Sequence, residues 1–290
     1  MIKRKKALNE TGIEQLNMCL SHFKNFRGDK SQVYAYIKVS QRPRNIVERY
    51  CHSLIEYLDL DVDKIDGFEY WYNDKTTTYG QAYLHFDCDE MTKEKKQIYS
   101  LPYTSTVTYL SDHGGPTLVT NMHAEQDAEH DDPLAYSESY DKIASCPVVS
   151  GTLMEFDSTA AHCIHNGEGT GNKEDRRKTL IINVWPKGQP PEGAIRWRGC
   201  VDDWEIELQE DEWEIPEEEN LPKTKWDDGI IFAYATHQLH FPWPRVVPNE
   251  FKVFKLKNAR SIGLYDTEPM SKTYKAYKKY KSELSELREE

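Results

Sequence analysis

A histidine and an aspartate one residue apart, His85 and Asp87 in the stretch HFDCDE, follow the apolar run QAYL. Side chains on a β-strand alternate sides with a period of two, so both leave one face and can reach one metal ion. The pattern is weak on its own. With 10 histidines and 49 acidic residues in 290 positions it arises by chance, and it recurs as His123/Glu125 and His130/Asp132. Those two pairs lie in NMHAEQDAEHDDP, a polar stretch with a proline and no apolar alternation, which reads as a solvated loop. His85 and Asp87 instead end a strand-like run and have the rigid support a metal site needs. Locally, two readings stay open: a metal pair, or ordinary polar residues.

A metal held by this pair needs another ligand from a later strand, and GTLMEFDSTAAHCIHNG offers His162 and His165. Leu153, Met154 and Phe156 read as a buried strand, DST as a tight turn, and HCIH as the start of the next strand. Two histidines and one carboxylate on one face of a metal, with other positions open, form the facial triad of non-haem Fe(II) oxygenases. Zinc hydrolases use similar ligands, so the triad alone does not fix the chemistry.

The elements that must position these residues follow from periodicity. TGIEQLNMCLSHF repeats apolar residues at Ile13, Leu16, Leu20 and Phe23, and PRNIVERYCHSLIEYL opens with Pro43 and repeats Ile46, Tyr50, Leu54 and Leu58. Both predict amphipathic helices ahead of a sheet. From about residue 67 short β-branched and aromatic runs take over (FEYWY, QAYLHFD, STVTYL, TLVTN, GTLMEF, TLIINVW), separated by turns such as Gly114-Gly115-Pro116. That spacing predicts an antiparallel sandwich or barrel. After Trp185 the chain turns Pro-rich and acidic, and EIELQEDEWEIPEEEN reads as a solvated face. Tyr274, Tyr277, Leu284 and Leu287 in the tail predict a helix packed on the body.

The length suits one large domain with extensions, and no internal repeat is visible. A net charge of −12 argues against sequence-independent nucleic-acid binding, which relies on Lys and Arg to neutralise phosphates. No stretch approaches a membrane span, and the basic start MIKRKKALNE lacks the apolar core of a secretory signal. The six cysteines are scattered without a C-x-x-C pair, which points to the cytoplasm or another reducing compartment.

The order HFD, TVTYL, GGPTLV, GTLMEFDSTAAHCI and RRKTLIINVW resembles the Fe(II)/2-oxoglutarate-dependent dioxygenases, specifically their prolyl-hydroxylase-like branch, over roughly residues 67 to 186. The resemblance implies a mainly β fold with flanking helices around a double-stranded β-helix, a jelly-roll or cupin-like core. It divides the chain into an N-terminal helical region (1–66), the oxygenase core (67–186) and a C-terminal extension of the same domain (187–290). It implies Fe(II) ligands His85, Asp87 and His162; His162 is preferred to His165 because the family places this histidine shortly after an F-x-S turn, here Phe156-Asp157-Ser158. Arg177, through RKT, matches the arginine that grips the distal carboxylate of 2-oxoglutarate by a bidentate pair, with Thr179 on the same face and Arg176 pointing outward. The insertion GEGTGNKED departs from the family pattern and loosens the register of that arginine. Tyr109 matches a position whose hydroxyl joins the arginine; a core tyrosine is the other reading.

By alternation, Asn183 and Ile181 share the face of Arg177, and Tyr83 and Gln81 share that of His85. Tyr83 and Asn183 are therefore candidate substrate contacts. The implied reaction consumes O2 and 2-oxoglutarate, releases succinate and CO2, and oxidises an unactivated C–H bond by hydroxylation, desaturation or ring closure. The presence of Asp87 argues against halogenation. The extensions around the barrel suggest a lid over a small, amino-acid-derived molecule, in the style of tailoring oxygenases of secondary metabolism, including those that close the kainoid ring. A substrate bearing several carboxylates needs extra cations, for which Arg196, Arg198 and Lys187 are the candidates. A protein or peptide hydroxylase, and a non-oxygenase cupin-like metal-binding protein, are the alternatives.

Overall fold

In the computed structural model, residues 2–23, 34–76, 82–127, 142–164, 175–193, 195–197, 204–220 and 251–255 are described. The strand Arg176–Pro186 shows how the chain builds its layers. Leu180, Ile182 and Val184 leave one face and are fully buried against helices, while Arg177, Thr179, Ile181 and Asn183 leave the other and line a cavity. A strand buried on both faces reads as a near-continuous apolar run, and TLIINVW does so except where the cavity demands polar groups.

In chain order the elements are β1 (Ile2–Lys6), α1 (Glu10–Phe23), β2 (Ala35–Lys38), α2 (Ile46–Tyr57), β3 (Ile65–Thr76), β4 (Ala82–His85), α3 (Glu90–Lys96), β5 (Thr104–Tyr109), β6 (Thr117–His123), β7 (Lys142–Cys146), β8 (Thr152–Phe156), β9 (Ala160–Ile164), β10 (Arg176–Pro186), β11 (Glu217–Asn220) and β12 (Lys252–Lys255). They form two six-stranded sheets, ordered β1-β8-β5-β10-β3-β2 and β11-β12-β7-β6-β9-β4. Strands β3, β5, β8 and β10 lie in the first sheet and β4, β6, β7 and β9 in the second. The chain thus winds between two facing sheets, antiparallel except for the β11–β12 pair, as a double-stranded β-helix does.

The helices cover the outer face of the first sheet. Leu16, Leu20 and Phe23 of α1 and Val47, Tyr50 and Leu54 of α2 share one apolar cluster with Phe68, Tyr70, Leu180 and Ile182. Helix α2 begins later than Pro43 predicts because Asn45 caps it, its side chain accepting from Glu48 N at 2.9 Å. Val107, Tyr109, Val119, Met154, Phe156 and Ile181 fill the space between the sheets.

Residues 1–66 are not purely helical. The basic segment IKRKK pairs with β8 as an edge strand, Lys3 reaching Glu155 at 3.0 Å and Arg4 bonding Glu214. Its side chains find partners far along the chain, which local periodicity cannot reveal. The stretch containing His123 is likewise not wholly loop, since β6 runs through it. In the acidic run, Trp204, Ile206, Leu208 and Trp213 pack on the helical cluster, while Glu205, Glu207 and Glu210 face solvent. The tail helix expected around Tyr274 to Leu287 lies outside the described residues.

Candidate metal and cosubstrate site

Between the sheets lies a cavity of about 340 Å³. Strands β3 and β10 form one wall. Their register places Lys75 opposite Arg177, Asn73 opposite Thr179, Trp71 opposite Ile181 and Glu69 opposite Asn183, and all eight line the cavity. Period-two alternation on two adjacent strands is sufficient to create this wall.

The second sheet brings the histidines together. His85 at the end of β4 lies directly opposite His162 in β9, and their ring centroids are 4.4 Å apart. Asp87 follows two residues after the strand end, with Oδ1 at 3.5 Å from His162 Nε2 and 3.9 Å from His85 Nε2. One ligand atom from each of the three lies within 4.8 Å of the others, and among the described residues this is the group of His, Cys, Asp and Glu able to hold a metal ion. The turn before β9 is held by Asp157, whose Oδ1 accepts from Thr159 N at 3.0 Å and Thr159 Oγ1 at 2.7 Å. His162 Nδ1 lies 3.2 Å from Ala160 O; donation to that carbonyl orients the ring so that Nε2 faces Asp87.

The electrostatics fit a cation. Asp87 is 6% exposed, and Oδ2 has no hydrogen-bond partner among the described residues. Burial pushes its carboxyl up, but the imidazoles of His162 and His85, a hydrogen bond with His162 and the nearby Ser105 outweigh this and bring it down to about 2. Burial pulls His162 down, and the Asp87 carboxylate reverses that, so its imidazole ends above its ordinary value. A carboxylate kept ionised beside two imidazoles is a donor set that can hold a divalent metal ion. His123 instead bonds Thr159 at 2.8 Å, while His130 and His165 lie outside the described residues.

Arg177 stands at the other end of the wall, 3% exposed. Nε donates to Gly115 O at 3.2 Å, Nη2 to Thr117 Oγ1 at 2.9 Å and Nη1 to Thr179 Oγ1 at 3.4 Å, all neutral acceptors. Among the described residues no carboxylate pairs with it. Burial pulls its pKa below the ordinary value, with Tyr109 and Cys146 opposing. The Gly-Gly-Pro turn is shaped around this side chain: Gly114 has φ +105°, and a Cβ there would lie 2.7 Å from Arg177 Cβ. Arg176 points away and bonds Asp74.

Tyr109 lies beside Arg177, with a hydrogen bond between their side chains. It is fully buried behind Thr117, its hydroxyl donating to Thr117 Oγ1 at 2.7 Å, with Arg177 Cζ 5.5 Å from its ring centroid. Thr117 is the residue sequence reasoning missed, although the GGPT motif contains it. Its oxygen accepts from both Tyr109 and Arg177, so its own O–H is left to donate into the cavity it lines.

Of the other substrate candidates, Asn183 lines the cavity, and the Tyr83 side chain and Arg198 lie outside what is described. Arg196 is corrected: its Nε and Nη2 bind the buried Glu48 at 3.0 and 2.8 Å, on the helix side of the sheet, which removes it as a free cation. Lys187 lies on the surface, 3.7 Å from Asp63. Sequence reasoning also missed Glu69, which is 4% exposed and accepts from Trp185 Nε1 at 3.0 Å. Burial, with repulsion from Asp87 and Asp89, outweighs the Trp185 bond that opposes it and leaves its carboxyl pushed up to about 8.

No protein-family model and no curated protein matches the chain. Among solved structures it is similar to a Pseudomonas putida prolyl-4-hydroxylase, at 14% identity over 66% of this chain and 87% of that one, with a TM-score of 0.39. The non-heme alpha-ketoglutarate-dependent carbocyclase SnoK of nogalamycin biosynthesis is 10% identical over 63% of this chain and 78% of that one, with a TM-score of 0.37. HygX from Streptomyces hygroscopicus, with nickel and 2-oxoglutarate bound, is 11% identical over 69% and 91%, with a TM-score of 0.33. Likenesses this distant carry no functional weight, which rests on the side chains themselves. Among the described residues no helix is long and apolar enough to cross a membrane.

Proposed function

We propose that the protein is an Fe(II)/2-oxoglutarate-dependent oxygenase acting on a small, amino-acid-derived molecule. The observation that carries this reading is one cavity that brings together the His85, Asp87 and His162 donor set and the buried Arg177, whose hydrogen-bond partners are all neutral. When bound, Fe(II) with 2-oxoglutarate and O2 supplies the oxidising power to break an unactivated C–H bond, with succinate and CO2 as co-products.

The chain's own residues orient and shield. The Ala160 carbonyl holds the His162 ring so that Nε2 faces the cavity, and Asp87 stays ionised beside it. Arg177, Thr117 and Thr179 offer a cluster of donors for the distal carboxylate, with Tyr109 buttressing Thr117 from behind. Val107, Phe156, Ile181 and Trp71 line the walls and limit water. The cavity volume lies within the range of small-molecule pockets, and the cosubstrate would occupy part of it. Hydroxylation, desaturation and ring closure are all served by this arrangement; the kainoid-type reading loses Arg196 as one of its cations.

The test is succinate release from 2-oxoglutarate under air with added Fe(II), measured with and without carboxylated and neutral amino-acid derivatives. Wild-type protein should release succinate, and His85→Ala, Asp87→Ala and His162→Ala should each abolish it. Loss in His130→Ala with full release in His85→Ala would move the metal site.

A further inference from the structure

Glu69 is used by neither the metal donors nor the cosubstrate cluster, yet it lines the same cavity. It sits on β3 six residues from Lys75, roughly 20 Å along an extended strand, so it marks the far end of the wall from Arg177. One carboxylate oxygen accepts from the Trp185 indole at 3.0 Å, and the Asn183 side chain also donates to the group. Among the described residues no cation pairs with it. Its surroundings are acidic, with Asp87 and Asp89 close enough to repel it.

Asn183 adds an independent sign. It is 1% exposed, and because its amide N–H serves the carboxylate, Oδ1 is left without a partner among the described residues. Asn73 Oδ1, two strand positions beyond Trp71, is likewise buried without one. A buried acceptor without a donor is destabilising, and a buried carboxyl with no cation beside it is held toward its neutral form until a cation arrives. Both needs are met by a group carrying positive charge and several N–H donors. Trp71 and Tyr34, in edge contact at 5.0 Å, give this end aromatic walls, whose faces attract cations. An anion here would meet Glu69 and Asp87 together.

We propose that Glu69, with the Asn183 carbonyl oxygen, anchors a protonated amine of the primary substrate. The proposal rests on the oxygenase reading for the word substrate, and on the cavity alone for the ammonium site. Arg177 then sorts the cosubstrate by its carboxylate and Glu69 sorts the substrate by its amine, so the two ligands cannot exchange places.

The experiment loads the protein anaerobically with Fe(II) and 2-oxoglutarate, then titrates n-butylammonium and, separately, butyrate, reading the unfolding midpoint. Butylammonium should raise the midpoint saturably in the wild type and butyrate should not. Glu69→Gln keeps an acceptor for Trp185 and removes only the charge; it should weaken butylammonium binding at least tenfold, with ligand-free circular dichroism reporting its fold. Should that variant not fold, Glu69→Asp, which keeps the charge but shortens the reach, should bind butylammonium more weakly than wild type. Equal binding by wild type and both variants, butyrate binding in place of butylammonium, or no saturable ammonium effect would each overturn the proposal. If the wild type shows no iron–2-oxoglutarate absorption band yet binds butylammonium through Glu69, the oxygenase reading fails and the anchor stands. A normal band with no Glu69 effect sinks the anchor alone.

Discussion

The two faces of the first sheet treat buried charge in opposite ways. On the helix side, the fully buried Glu48 is matched by Arg196 through two bonds, 3.0 and 2.8 Å long, and by the Arg44 backbone N–H at 2.7 Å. On the cavity side, Arg177 and Glu69 are nearly as buried, but their hydrogen-bond partners are neutral and among the described residues neither is paired with an opposite charge. A compensated pair is what a fold uses to tie a helix to a sheet; an uncompensated buried charge is costly and persists where a ligand completes it. The same sheet therefore separates structure from chemistry by side.

Breaking the cavity side should give the larger functional effect. Arg177→Leu removes the buried guanidinium from the donor cluster offered to a cosubstrate carboxylate, a loss on the order of 2–5 kcal/mol. The 2-oxoglutarate requirement should rise by well over tenfold with the Fe(II) requirement little changed, as read by succinate release against 2-oxoglutarate concentration. If Arg176→Leu has that effect and Arg177→Leu does not, the strand register is wrong. Breaking the helix side should act on stability instead. Arg196→Ala leaves Glu48 buried without its cation and should cost about 2 kcal/mol, less than a fully buried pair because Arg196 is partly exposed. Denaturant unfolding would show this as a lower midpoint with an unchanged 2-oxoglutarate requirement; a changed requirement would break the division between the two faces.

Much of the cavity side was legible because period-two alternation is local. Arg177, Thr179, Ile181 and Asn183 follow from one another once β10 is recognised, and His85 with Asp87 follows from the end of β4. That His85 faces His162 needed the pairing of β4 with β9, which the resemblance supplied and periodicity could not. Glu69 was hidden for a physical reason. In FEYWYNDK a glutamate alternating with aromatics reads as the solvent face of a half-buried strand, and only the second sheet turns that face inward. Arg196 misled for the converse reason: its partner Glu48 lies 148 residues earlier, and nothing near it in the chain announces the pair.

The most direct test of the account is optical. Fe(II) is added anaerobically to the metal-free protein, followed by 2-oxoglutarate, and the visible spectrum is recorded. The wild-type protein should show a metal-to-ligand charge-transfer band that saturates at one equivalent of 2-oxoglutarate, is lost in His162→Ala, and in Arg177→Leu forms only at far higher 2-oxoglutarate. Tight Fe(II) binding with no band, or a band of equal strength and affinity in His162→Ala, would contradict the oxygenase reading.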